Sequence, residues 1–185
     1  MSKFFQYGGI VASVILVAFG IGALYMGVNG RAEVRDNLKR EQIVGTPDMA
    51  KSVANKQVLT GAQAKAFARG MRKHTLEATG GQTYAQMGRF LTAAGKPTND
   101  EKAAAIDKAT GKPVENGARN LWVTETALTT ALNTAFFAES VATFAIVMGV
   151  ALLLVGGGFL VLTLRVLRRT DEAVAARAPR VAVPA

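Results

Sequence analysis

Two stretches of the chain carry no charged residue at all, Phe4 to Asn29 and Ser140 to Leu164. Elsewhere charged and apolar residues are interleaved. At 1.5 Å per residue, each stretch exceeds the roughly 20 residues that cross a hydrocarbon layer about 30 Å thick. Tyr7 and Tyr25 stand near the ends of the first stretch. A helix would hold them ~27 Å apart, the spacing of the two aromatic belts of a bilayer. The pattern predicts two transmembrane helices. Two buried core helices would have the same composition, but a chain of 185 residues is too small to wrap both on every side. A cleaved signal peptide is the other reading of the first stretch. Against it, only Lys3 precedes the apolar run, which is longer than the usual ~7–15 residues, and Tyr25 and Met26 stand where small residues are wanted. A retained anchor is the better fit.

Between the spans, residues 30–139 show repeated helix signals. Thr60 with Gln63, Thr83 with Gln86 and Thr98 with Glu101 each have capping-box spacing, and Thr46-Pro47 offers a proline at a first helical position. Gly80-Gly81, Gly95 with Pro97 and Gly111 with Pro113 read as stops. These signals predict helices near 61–78, 83–94 and 99–110, and one near 47–57. Ala64, Phe67, Ala68 and Met71 form one apolar face, and Tyr84, Met87, Phe90, Leu91 and Ala94 another. The 99–110 segment offers only Ala103 to Ile106. No alternating strand pattern of any length occurs. The expected fold class is all-α: a two-span transmembrane helical hairpin with a small helical domain between the spans. Its divisions are an N-terminus at 1–3, a first span at 4–29, the helical domain at 30–139, a second span at 140–164 and a basic tail at 165–185.

Small residues recur along both spans. Ala131, Ala135, Ala138, Ala142, Ala145 and Gly149 are spaced by alternating fours and threes. Gly9, Ser13, Leu16, Gly20, Ala23, Gly27 and Gly30 follow the same rhythm. That rhythm keeps one seam of a helix toward one neighbour, and small residues in it let backbones approach closely in lipid. The first of these seams predicts one continuous helix from about Gly117 to beyond Arg165. The two seams are expected to face each other; contact between copies of the chain is the rival, and a chain rich in Ala and Gly produces some such spacings by composition.

Charge bears on orientation. Lys and Arg number 22 against 13 Asp and Glu, a net charge of +9, beside a positive mean hydropathy of +0.22. Arg165, Arg168, Arg169, Arg177 and Arg180 follow the second span, and no Lys or Arg lies between Asn120 and Leu164. That contrast puts the C-terminus in the cytoplasm. The first span argues the other way, with Arg31, Arg35, Lys39 and Arg40 behind it. Long loops translocate largely regardless of charge, so the second span decides: both termini cytoplasmic, the loop outside.

Candidate chemistry is sparse. The absence of cysteine excludes disulfides, thiol catalysis and thiolate metal sites, and one histidine, His74, excludes two-histidine metal sites. His74 is read as solvated, with a pH-responsive or ligand-binding role as its alternative. Lys65, Arg69, Arg72 and Lys73 make a basic helix face, for solvent, anionic headgroups or an acidic partner. The charge is spread and lacks a binding motif, so nucleic acid is not an expected partner. Gly156-Gly157-Gly158 lies in an apolar run and cannot be a phosphate loop, and no Walker, nucleophile-elbow or His-Glu-x-x-His motif occurs. Glu139, at the edge of the second span, is the candidate functional carboxylate, with an interfacial acid as the plainer reading. Glu125 lies two heptads earlier on the same face. No catalytic, cofactor or metal residues are assigned.

The two-span plan, the Thr-Gly-Ala-Gln-Ala run at 60–64, Gly81 to Ala85, and Trp122-Val123-Thr124-Glu125-Thr126-Ala127-Leu128 through Phe136-Phe137-Ala138-Glu139 resemble uncharacterised integral membrane proteins of high-GC Gram-positive bacteria. The resemblance implies a plasma-membrane location and no assigned activity. The resulting expectation is a non-enzymatic membrane protein, an interaction or accessory subunit. Its partners are the bilayer and either another copy of the chain or a second membrane protein. An oligomeric small pore or transporter component is the alternative.

Overall fold

The computed structural model describes residues 2–177; the end of the basic tail, with Arg180, lies outside them. The fold is mostly helical. Helix α1 is Ser2–Arg40, α2 is Gly61–Ala78 and α3 is Gly117–Arg177. Two of the three, α1 and α3, are long and apolar enough to cross a membrane. The chain divides into two compact units, one of Met1–Arg31 with Val141–Ala185, the other Ala32–Ser140.

The first unit is a pair of antiparallel helical segments in backbone contact. A Cβ at Gly20 would lie 2.9 Å from the Gly149 carbonyl oxygen, and one at Gly27 would lie 2.6 Å from that of Ala142. One at Gly9 would meet the Thr163 hydroxyl at 2.8 Å, and one at Gly156 the Ser13 carbonyl at 3.1 Å. Larger side chains at these places would hold the helices apart. Ser13 is fully buried, and its hydroxyl donates to the Gly9 carbonyl at 2.7 Å, one turn back in its own helix. A polar group therefore enters the seam without an unmet hydrogen bond. Away from the seam the surface is apolar: Phe19 is 69% exposed and Leu154 72%.

The second unit has its core where the end of α1, α2 and the start of α3 meet the segment 41–60. Leu38, Val53, Val58, Ala64, Ala66, Ala68 and Leu132 form it, with Val34, Ile43, Met49, Phe67, Met71 and Ala135 packed around. Helix α2 begins where the sequence places it. Thr60 accepts from the Gln63 amide at 3.2 Å, and the Gln63 side chain accepts from the Leu59 amide at 2.9 Å. It stops at Gly80 and Gly81, with φ of 61° and 79°, and the Gly81 amide returns to the Leu76 carbonyl at 2.7 Å. Helix α3 is continuous from Gly117. Its cap is Asn116, whose side chain accepts from the Ala118 amide and donates to the Gly88 carbonyl.

The other three expected helices do not form. Residues 47–57 make turns instead. The Met49 amide reaches back to Thr46, and Val44 bridges Gln57 while Gly45 bridges Ala54. Folding back this way buries Val53 and Val58 completely, a gain that a solvent-facing helix around Pro47 could not offer. Residues 83–94 give one 3₁₀ turn at Tyr84–Gln86, then β1 at Phe90–Leu91. β1 pairs antiparallel with β2, Pro97–Thr98, in the register Phe90 to Thr98 and Leu91 to Pro97. Gly95, at φ 73°, is the hairpin turn rather than a helix stop. Gly88 has no room for a Cβ against the Thr98 backbone. Residues 99–110 give a 3₁₀ turn at Glu101–Ala103, begun by Asp100. Beyond it Ala105 exchanges hydrogen bonds with Leu91 and Val114. Only alanines and an exposed Ile106 were available to seat a helix there, so the backbone pairs laterally instead.

Candidate binding cavity

A cavity of about 940 Å³ opens in the second unit beside its core. Its walls are mainly apolar: Val34 and Leu38 from α1, Ile43 and Met49 from the turn segment, Phe67 and Met71 from α2, and Leu128 to Ala138 from α3. On the three helices these side chains lie at helical spacing, so each helix presents one apolar stripe to the same space. Asn37, Arg40, Glu41, Thr46, His74 and Thr134 add polar groups, the Thr134 hydroxyl donating to the Thr130 carbonyl of its own helix at 2.9 Å.

Apart from Thr134, the polar groups gather toward one end. Gly61, at the start of α2, lies against Ala135 and Phe136, whereas Thr79, just past its end, accepts a hydrogen bond from the Trp122 indole. Helix α2 is thus antiparallel to α3, and His74 lies at the end of the cavity marked by Leu128. Arg40 and Glu41 follow from Val34 by about 10 Å along α1. Val34, Ala135 and Ala138 line the opposite, apolar end.

At the polar end His74 is not simply solvated, as the sequence suggested. Its Nε2 lies 2.5 Å from Asp48 Oδ2, with the imidazole about one-third exposed. Thr46 donates to the other oxygen of Asp48 at 2.6 Å. The Thr46 hydroxyl and the His74 ring together hold the Asp48 carboxyl down at about 2, well below its ordinary value. The hydroxyl and imidazole both sit on the carboxylate, rather than the imidazole standing between hydroxyl and carboxylate. That order positions a ring but does not activate a nucleophile. Arg40 donates to the Asn37 side-chain oxygen.

The basic face of α2 is split. Lys65 lies over the Phe136 ring at 4.2 Å and Arg72 over the Trp122 ring at 5.2 Å, both leaning on α3. Lys73 pairs with Glu77 at 3.6 Å, and Arg69 faces water. Glu139 accepts from the Gly61 amide at the start of α2, where the helix dipole favours a carboxylate. Glu125 is buried, and accepts a 3.4 Å contact from Thr126. Among the seam residues, Gly9, Gly20, Gly27, Ala142 and Gly149 touch across the first unit, and Ser13, Ala23 and Ala145 lie along the same line. In the second unit Ala131, Ala135 and Ala138 line the cavity instead.

Three contributors carried no mark in the sequence that singled them out. Val34 and Leu38 continue the rhythm Gly27, Gly30 by fours, but they are hidden among Arg31, Arg35, Lys39 and Arg40. Asp48 carried no signal at all, because its partner is 26 positions away. Among the described residues no group of three or more acidic or histidine side chains is placed to hold a metal ion. No protein-family model, no curated protein and no solved structure matches this chain.

Proposed function

We propose that this chain is a non-enzymatic integral protein of the plasma membrane, an interaction or accessory subunit. In this reading α1 and α3 anchor it, both termini are cytoplasmic, and the Ala32–Ser140 unit is displayed outside. The observation that carries the reading is the apolar surface of the first unit. Phe19, Tyr25, Phe144 and Leu154 are each more than 60% exposed, on segments without a charge between Phe4 and Asn29 or Ser140 and Leu164. Contiguous apolar surface of that extent is stable only against lipid or another apolar body. Orientation rests on the arginines from Arg165 onward.

The experiment is direct because the chain has no cysteine. Single cysteines at Lys96 and Arg180 are treated in intact cells with an impermeant maleimide. Labelling at 96 and protection at 180 is expected, and the reverse overturns the orientation. Release of the chain from membranes by alkaline carbonate would overturn the anchoring itself. The pore alternative needs a polar group for its lining, and Glu139, its candidate, is engaged with the Gly61 amide in the second unit.

A further inference from the structure

We propose that the cavity of the Ala32–Ser140 unit binds one single-chain phospholipid with a zwitterionic head, its phosphate at Arg40 and its ammonium at Glu41. The volume, about 940 Å³, is at the upper end of the range for small-molecule sites, which are commonly ~300–1,000 Å³ and mostly apolar. Its length, measured on α3 from Leu128 to Ala138, is ~15 Å. That accommodates one medium acyl chain.

The charged and apolar linings are separated along that length, and Thr134, at the apolar end, has its hydroxyl bonded within α3. An acyl chain lies against Phe67, Met71 and Ala135, and the head reaches the end where Arg40, Glu41 and His74 stand. Burial of hydrocarbon drives binding. The head then fixes direction. Arg40 spends one donor on Asn37 and keeps others for a phosphate, which a guanidinium holds through two parallel hydrogen bonds. Glu41 is next to it, a carboxylate of opposite sign for the cationic end of the head. His74 and Asp48 are hydrogen-bonded to each other, and Arg40 and Glu41 are left to meet the head.

The proposal takes its lipid supply from the membrane reading, but its test fails separately. Membranes carrying the full chain are incubated with lysophosphatidylethanolamine bearing a diazirine in its acyl chain, irradiated, and digested. Bulk lipid labels the two spans in any case. Labelling of the peptides holding Phe67 to His74 and Leu128 to Ala138, competed by unlabelled lipid, is the expected result. Labelling confined to 4–29 and 140–164 overturns the proposal while leaving the membrane reading intact. Ala131→Phe, which fills the cavity, should cut cavity labelling at least tenfold, whereas Ala127→Phe, exposed on α3 outside the cavity, should not. Arg40→Gln should cut it severalfold for the lysophospholipid and leave a photoreactive fatty alcohol unchanged. Equal labelling by both probes in the parent chain, unaffected by Arg40→Gln, overturns the assignment of the head.

Discussion

Gly20 and Gly22 lie two residues apart in one helix, yet the same substitution should act on them in opposite directions. A Cβ at Gly20 would stand 2.9 Å from the Gly149 carbonyl oxygen and 2.9 Å from Leu153 Cγ, while one at Gly22 meets nothing within 4 Å. Ordinary contact begins near 3.4 Å, so Gly20→Ala is short by about half an ångström against backbone that cannot rotate away. The helices must open by that much, and a gap of ~0.5–1 Å forfeits a quarter to a half of each dispersion contact along the seam. Overpacking of this kind costs about 1–3 kcal/mol. Both variants gain the helix preference of alanine, up to ~1 kcal/mol, and Gly22→Ala escapes the overpacking cost. The helix preference cancels between them, so the two variants should differ by the overpacking cost alone, about 1–3 kcal/mol in helix-pair stability. The measurement is energy transfer between probes on cysteines at Gly8 and Leu162, both exposed, during titration of dodecylmaltoside micelles with SDS. Gly20→Ala should move separation of the helices to lower SDS fraction and Gly22→Ala to equal or higher. Equal shifts for the two would refute close packing at Gly20.

Three further outcomes are expected. Cysteines replacing Gly9 and Thr163 should join within one chain on mild oxidation, since the Cβ positions are 3.7 Å apart, inside the usual range for a disulfide; dimers without an intrachain product would place the seam between copies instead. Thr60→Ala should cost the Ala32–Ser140 unit ~0.5–2 kcal/mol in thermal unfolding, whereas Thr83→Ala should cost less because it caps a single turn; equal losses would contradict that difference. Asp48 has a depressed folded-state pKa, so its contribution is full above the ordinary carboxylate value near 3.8 and is lost as pH falls through about 2. Acid unfolding followed over that window should lose this component in Asp48→Asn, and an unchanged profile would remove Asp48 from the account.

Long-period features were legible in the sequence and short ones were not. Uncharged runs and the Gly27, Gly20, Gly149 rhythm span many turns, and α2 has both a cap at Thr60 and a stop at Gly80 with an apolar face between. Each of these is a local pattern repeated. The segments 83–94 and 99–110 carried equally good caps, but a cap only begins a helix. What continues it is an apolar face with something to bury against. Phe90 and Leu91 found lateral partners in Pro97, Thr98 and Val114 instead, and no spacing announces that. The cavity was half legible. Phe67 and Met71 read as a core face, but a core face and a cavity wall have the same periodicity. Asp48 and His74 meet only through the fold.

The burial of Trp122 gives the molecule its own optical probe. It is the only tryptophan in the chain, 2% exposed, with its indole nitrogen donating to the Gln82 carbonyl at 2.9 Å and the Arg72 guanidinium over its ring. Intrinsic emission excited at the indole band therefore reports on the Ala32–Ser140 unit alone. Loss of that unit's packing exposes the ring to water and shifts its fluorescence to the red, while separation of the two apolar segments in the other unit leaves it dark to this channel. The stabilities of the two units can then be read independently in one cuvette, the second by indole colour and the first by attached dyes.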